Sequence, residues 1–352
     1  MNTYEYTFPE PKKRFIKQFS QILATASYYP ERILTNQDII DAQQLPVTDT
    51  AIRKTLGVEQ RHVVDEGTTD SDLLAQAAQR CLEKAQIQPD QLSKIVVTKF
   101  LGDRILPMTA SMVQRKLKCN VAMHAFDLEG GINAFLHALD LGTRYISTSS
   151  EDNPYILILS GGIHQLVISK SDPRLAFLFG DGAAAVLLSK AQQPHFLASY
   201  FYSNPQFFEQ AGSRLLKMDE WVSQKIYEEG RYDLLYNFYQ MGNWKDSIDF
   251  FLDASEVIAT HLFGESELTM EAIDYVLVTE QNKKFAELIL DRLKVDAQKR
   301  ISIIHERANT MTAMLPGLLD HGFSEGLFKS GSRIMLISHG EGASGGGMIY
   351  QV

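Results

Sequence analysis

The sequence predicts an α/β fold made of two related halves, each with a mixed sheet. Short apolar strands alternate with amphipathic helical stretches, and the same order recurs in the second half. Of the 352 residues, 45% are hydrophobic, enough for a sizeable core. In the first half "KIVVTKF" is followed by a helix near 107–118, the strand "VAMHAFDL", a helix near 131–142, and the strands "YILILSGG" and "AAAVLLS". The second half offers "IDYVLVTE", a helix near 283–293, "ISIIHE" in the place of a strand, and a helix near 309–320. It closes with the strands "RIMLISHGEG" and "GGMIYQV". This matched order predicts αβαβα layering, with halves meeting near 190–200 and with Ile132 and Asn309 at the starts of corresponding internal helices.

Boundaries follow from the same pattern. Residues 1–18 read as an N-terminal extension, because "PEPKK" works against an early regular element. Residues 19–190 form the first half and 191–352 the second. Within the second, the aromatics and charges of 191–250 suggest a cap of helices and loops, which either packs as a cover or lines a tunnel.

Charge and composition exclude several function classes. There are 43 acidic against 34 basic residues, a formal charge of -9, and no long basic run to track a phosphate backbone, so nucleic acid is not an expected partner. No apolar run is long enough to span a bilayer, and "MNTYEYTFPEPKKRF" lacks the apolar core of a secretory signal. The expectation is a cytoplasmic chain with no membrane insertion. The two cysteines, Cys81 in the helical "DLLAQAAQRCLEKA" and Cys119 between a helix and a strand, read as reduced structural thiols.

His124, His137, His164, His305 and His339 are scattered without metal-ligand spacing, so no metal is expected. Ser111 and Ser160 have no identifiable base nearby in sequence. The glycines of Gly180-Asp181-Gly182 and Gly345-Gly346-Gly347 read as tight turns at strand ends, since neither run has the context of a nucleotide loop.

The chemically pointed stretch is "HAFDLEGGINAF". Gly130 and Gly131 permit a tight strand-to-helix turn, and the peptide amides at such a helix start favour an oxyanion. A turn of this kind suits the presentation of a nucleophile. Here it presents Ile132, which has neither lone pair nor acidic proton.

From Ile22 to Val352 the chain resembles 3-oxoacyl-(acyl carrier protein) synthase III and its secondary-metabolite relatives, in the thiolase-like superfamily. The resemblance rests on "ILATASYYPERILTNQDI", "IRKTLGVEQRHV", "FLFGDGAAAVLL" and "GEGASGGGMIY", which occur in family order. It implies thiolase-like duplicated αβαβα layers with mixed sheets. It also implies a Cys that attacks an acyl thioester and a His and Asn that assist decarboxylation and stabilise enolate charge. Ile132 stands at the Cys position, Glu280 at the His position, and Lys283 where a downstream Asn commonly lies. Asn309 matches the third catalytic member, and Asn is also a good helix cap. The Trp and Arg that hold coenzyme A in primary-metabolism members are matched by Ala51 and Thr55, while Arg61 remains.

On the resemblance, Gly130, Gly131, Ile132 and Arg61 are expected on the substrate side and Glu280 and Asn309 at the catalytic positions. No cofactor is required, and an acyl-carrier-protein or coenzyme A thioester is the implied substrate class. The resemblance also implies dimers through the first-half sheets, including heterodimers with one altered subunit. The leading reading is a nucleophile-less subunit of a heteromeric acyltransferase or condensing enzyme, partnered by a Cys-containing homologue and served by an acyl carrier protein. A homodimer stays open. So do two other readings: an autonomous non-covalent enzyme using Glu280 and Asn309, and an acyl-binding or regulatory protein.

Overall fold

A computed structural model describes residues 18–100, 102–104, 106–164, 173–207, 211–213, 239–241 and 247–352. Nearly all of the expected N-terminal extension and most of the expected 191–250 cap lie outside these residues.

In chain order the first half contains β1 (Phe19–Tyr28), β2 (Ile33–Thr35), α1 (Asn36–Gln43), α2 (Asp49–Leu56), β3 (Gln60–His62), α3 (Asp70–Ala85) and β4 (Lys94–Thr98). It continues with α4 (Thr109–Lys116), β5 (His124–Leu128), α5 (Ala134–Thr148), β6 (Ile156–Gly162), α6 (Pro173–Ala176) and β7 (Gly182–Ala191). These strands form a five-stranded sheet in the order β1-β7-β6-β4-β5, with β4 parallel to both β5 and β6 and the β6-β7 and β7-β1 pairs antiparallel.

The chain then runs through β8 (Phe196–Ser203), a short pair β9 (Ala211–Ser213) and β10 (Tyr239–Met241), and α7 (Ile248–Ser266). After these come β11 (Tyr275–Val278), α8 (Lys283–Arg292), α9 (Ile304–Arg307), α10 (Met314–Ser324), β12 (Arg333–Gly340) and β13 (Ser344–Gln351). The second sheet has the order β11-β12-β13-β8, with β11 parallel to β12 and the other pairs antiparallel. It repeats the β4-β6-β7-β1 part of the first sheet strand for strand. Only β5 lacks a counterpart among the described residues.

Layering follows from which helix faces are apolar. Phe135, Leu136 and Leu139 of α5 and Leu315, Leu318 and Leu319 of α10 share one buried cluster with Val96, Ile158 and Val186 of one sheet and Leu277 and Leu336 of the other. The two helices therefore fill the layer between the sheets. Outside, α3 buries Leu73, Leu74, Ala77, Ala78 and Cys81 against the first sheet, and α7 and α8 bury Ile258, Leu262, Ile289 and Leu290 against the second. Each fully buried Leu or Ile contributes about 1.5–3 kcal/mol relative to exposure, so the five layers are held by many modest terms. The αβαβα expectation thus holds.

Two local expectations need correction. "ISIIHE" forms no strand: Arg300 makes a single bridge to Val276, after which the chain turns into α9. The cause is the Glu280 carboxylate, whose Oε2 accepts the Ile303 and Ile304 amides at 2.9 and 3.0 Å and so caps a helical turn where a ladder would have continued. Gly345-Gly346-Gly347 do not make a turn either. They lie inside β13, where an added Cβ would come within 2.7 Å of Tyr202 Oη, 2.4 Å of Phe201 and 2.7 Å of Ile258 respectively. Close packing on both faces of the strand, not backbone conformation, selects glycine there.

Candidate functional site

The turn between β5 and α5 forms as the glycines suggest. Gly131 takes φ +57°, a left-handed conformation that favours glycine, and a 3-10 turn over Gly131–Asn133 leads into the helix. Ile132 is only 3% exposed, and its side chain packs with Leu175, Leu178, Phe179 and Met311 in a small apolar cluster. Its backbone amide is not open. It donates to Glu341 Oε2 at 3.2 Å, and a Cβ on Gly131 would meet that same oxygen at 2.3 Å.

From the other half, Asn309 adjoins this cluster through Leu178 and Met311, whereas the Glu280 side chain turns to its own half. Asn309 Nδ2 donates to the Gln281 carbonyl at 3.0 Å, beside Glu280, while Met311 packs against Ile132. Asn309 Oδ1 accepts the Met311 amide at 2.7 Å, and its backbone pairs with Leu178 and Gly180. Its side chain therefore shapes a turn ahead of α10, which begins five residues further on. Both oxygens of Glu280 face the 302–304 turn, taking the Ser302 hydroxyl and the Ile303 and Ile304 amides. Burial pushes the Glu280 carboxyl up to about 7 against the opposing effect of those hydrogen bonds.

The remaining expected residues are placed elsewhere or inward. Arg61 is fully buried and donates to the Leu34 carbonyl, Asn36 Oδ1 and the Phe177 carbonyl, tying β3 to α1 and to the segment before β7. Thr55 Oγ1 donates to the Ala51 carbonyl within α2. Lys283 lays its stem over Gly57 and lines an open surface groove of about 560 Å³ together with Arg53, Lys54, Ser302 and His305.

None of the other candidates supplies a nucleophile to Ile132. Burial pushes the Cys81 thiol up to about 12 and the Cys119 thiol up to about 11, so neither is a ready thiolate. Ser160 accepts from Thr98 Oγ1 inside the first sheet. His339 is enclosed between Tyr202 and Ser255, and His164 rests on the Gly180 carbonyl. His137 packs on Phe201 and His124 on Phe126. Among the described residues no group of three His, Cys, Asp or Glu is placed to hold a metal, and no helix is long and apolar enough to cross a membrane.

Glu341 joins the site without a motif of its own: within "GEGASGGGMIY" its one sequence signal is a lone carboxylate at the end of an apolar strand.

Comparison with known proteins gives this geometry its context. The family described as 3-oxoacyl-[acyl-carrier-protein (ACP)] synthase III matches residues 126–205, and its C-terminal part matches residues 263–352. The chain is similar to this family over both matched segments and has the thiolase-like α/β fold of its solved neighbours. A beta-ketoacyl-[acyl-carrier-protein] synthase III from Wolbachia pipientis wMel is 29% identical over 340 residues, covering 94% of this chain and 98% of the relative. Among solved structures, the 3-oxoacyl-[acyl-carrier-protein] synthase III of Aquifex aeolicus superposes with a TM-score of 0.83 at 22% identity, over 95% of this chain and all of that one (100%). The priming beta-ketosynthase of a polyketide biosynthetic pathway gives 0.83 at 20% identity, over 97% of this chain and 99% of its own. Within this thiolase-like frame, the β5-α5 turn and the loops around Glu280 and Asn309 lie where the two halves meet.

Proposed function

We propose that this chain is the nucleophile-less subunit of a heteromeric acyltransferase or condensing enzyme, paired with a Cys-containing homologue that carries the acyl group. The observation that carries the reading is a contrast. The position suited to a nucleophile holds Ile132 in a closed apolar cluster, while the edge of the neighbouring sheet is open. β5 ends that sheet, and its outer edge pairs with no strand among the described residues. Leu106, Met108 and Val121, exposed by 76%, 38% and 44%, lie in the segments leading to α4 and β5. An unpaired strand with apolar residues nearby is a template for another chain.

The likeness to 3-oxoacyl-[acyl-carrier-protein] synthases III supports an acyl-carrier-protein or coenzyme A thioester as the substrate class of the pair. The autonomous alternative asks Glu280 and Asn309 for chemistry with groups already engaged in turns, and nothing in the geometry favours it over pairing.

The test is co-expression with a Cys-containing homologue, followed by pull-down and native mass measurement. A stable one-to-one complex is expected. Leu106→Asp with Val121→Asp is expected to weaken it at least about tenfold, because association would then bury carboxylates without partners. An unchanged complex in that variant would reject the β5 edge as the contact. An isolated homodimer that turns over an acyl thioester would reject the pairing itself.

A further inference from the structure

The turn that opens α5 carries a feature unrelated to the loss of a thiol. A helix start reached through a left-handed glycine points backbone amides at one spot, where the helix dipole also favours negative charge. In an acyl-transfer site that spot receives the oxygen on which charge develops. Here it is filled from within the chain. Glu341 Oε2 accepts the Ile132 amide at 3.2 Å and lies 2.3 Å from where a Cβ on Gly131 would be, so only glycine leaves it room. The carboxylate is held there by a second tie between the two turns. Asn133 Nδ2 donates to Ser344 Oγ at 2.7 Å, and Ser344 Oγ donates to the Glu341 carbonyl at 3.0 Å. Glu341 Oε1 is buried with no hydrogen-bond partner, and besides the Ile132 amide the carboxyl draws only on its own backbone amide, so the group is committed to this turn.

We infer that the anion site at the start of α5 is kept occupied by the chain's own Glu341 carboxylate, and that Glu341 excludes an acyl or enolate oxygen from the Ile132 amide. The inference deepens the paired-subunit reading, since a subunit with this site closed leaves acyl chemistry to its partner. It also says that the site has been closed twice, once at Ile132 and once at Glu341. Burial pushes the Glu341 carboxyl upward, as expected for an acid held by few donors.

The test uses the isolated chain labelled with ¹⁵N-isoleucine, with sodium acetate as the probe and the Ile132 amide resonance as the readout. In the Glu341→Gly variant acetate is expected to shift that resonance in a saturable way, whereas the parent chain should show no saturable shift. An equal response in both chains, or none in either, overturns the inference.

A thiol series reads the same site chemically, using the small thioester S-acetyl-N-acetylcysteamine. The introduced sulfur forms a C–S bond to the acetyl carbon as the N-acetylcysteamine thiolate leaves and takes up the proton the thiol has lost. Ile132→Cys combined with Glu341→Gly is expected to acetylate at least about tenfold faster than Ile132→Cys alone, because the amide then stabilises the developing oxyanion. Equal rates, including no reaction of either, contradict the inference, with thermal midpoints of all variants confirming that they fold. No partner subunit enters either measurement, so failure here leaves the pairing proposal standing, and failure of the pull-down leaves this one standing.

Discussion

Replacing Glu280 by Ala is expected to destabilise the chain by about 3 kcal/mol, because it strands buried hydrogen-bond donors that have no other acceptor at hand. Those donors are the amides of Ile303 and Ile304; the exposed Ser302 hydroxyl loses its acceptor too but can turn to water. Glu280→Gln retains a carbonyl oxygen for the amides and turns its NH2 group toward the hydroxyl, so it should recover most of the loss. The two variants also differ from the parent in pH dependence.

Burial raises the Glu280 carboxyl from its ordinary 4.5 to about 7, so between those values the folded chain keeps a proton that the unfolded chain has released. The resulting stabilisation is fully present below the lower value and is lost as pH rises through the upper one. Urea midpoints at about pH 5 and about pH 8 should therefore fall on going alkaline for the parent, and fall less for Glu280→Gln. A Glu280→Ala variant as stable as the parent would remove the structural role assigned to this carboxylate.

That role marks where sequence reading stopped. The alternation of apolar strands and helical stretches is enough to place β4, β6, β11 and β12, because each buries its apolar residues in a sheet between helix layers, and β5 as the half-buried edge strand beside them. "ISIIHE" misled because Ile301, Ile303 and Ile304 look like part of a buried strand, while the deciding contact comes from a residue 24 positions earlier, as far as Ile304 is concerned. The helix expected from 309 begins at Met314 because Asn309 pairs its backbone with Leu178 and Gly180, across the halves. At the candidate site, the Gly130-Gly131-Ile132 turn was legible from local turn chemistry. Glu341 was not, since its contact with Ile132 spans 209 positions and no local pattern encodes it. Arg61 shows the same limit in reverse: a retained basic residue invited a substrate-side reading, but its donors face inward.

The second large effect concerns the pair. In a reconstituted complex with a Cys-containing homologue, replacing the partner's reactive Cys by Ala is expected to lower turnover by about a thousandfold or more, since the covalent route is then gone. Glu280→Gln in this chain should leave turnover within about twofold, because that carboxylate holds a turn and enters no chemical step. The contrast between the two variants separates a chemical contribution from a packing one.

The most direct measurement is the intact mass of both subunits after brief incubation of the complex with an acyl thioester, followed by peptide mapping of any adduct. The account predicts one acyl group on the partner's reactive Cys and none on this chain, whose only thiols are Cys81 and Cys119. A stoichiometric acyl adduct on either of those two cysteines, or turnover by this chain alone that is lost in Asn309→Ala while folding is unchanged, would contradict it.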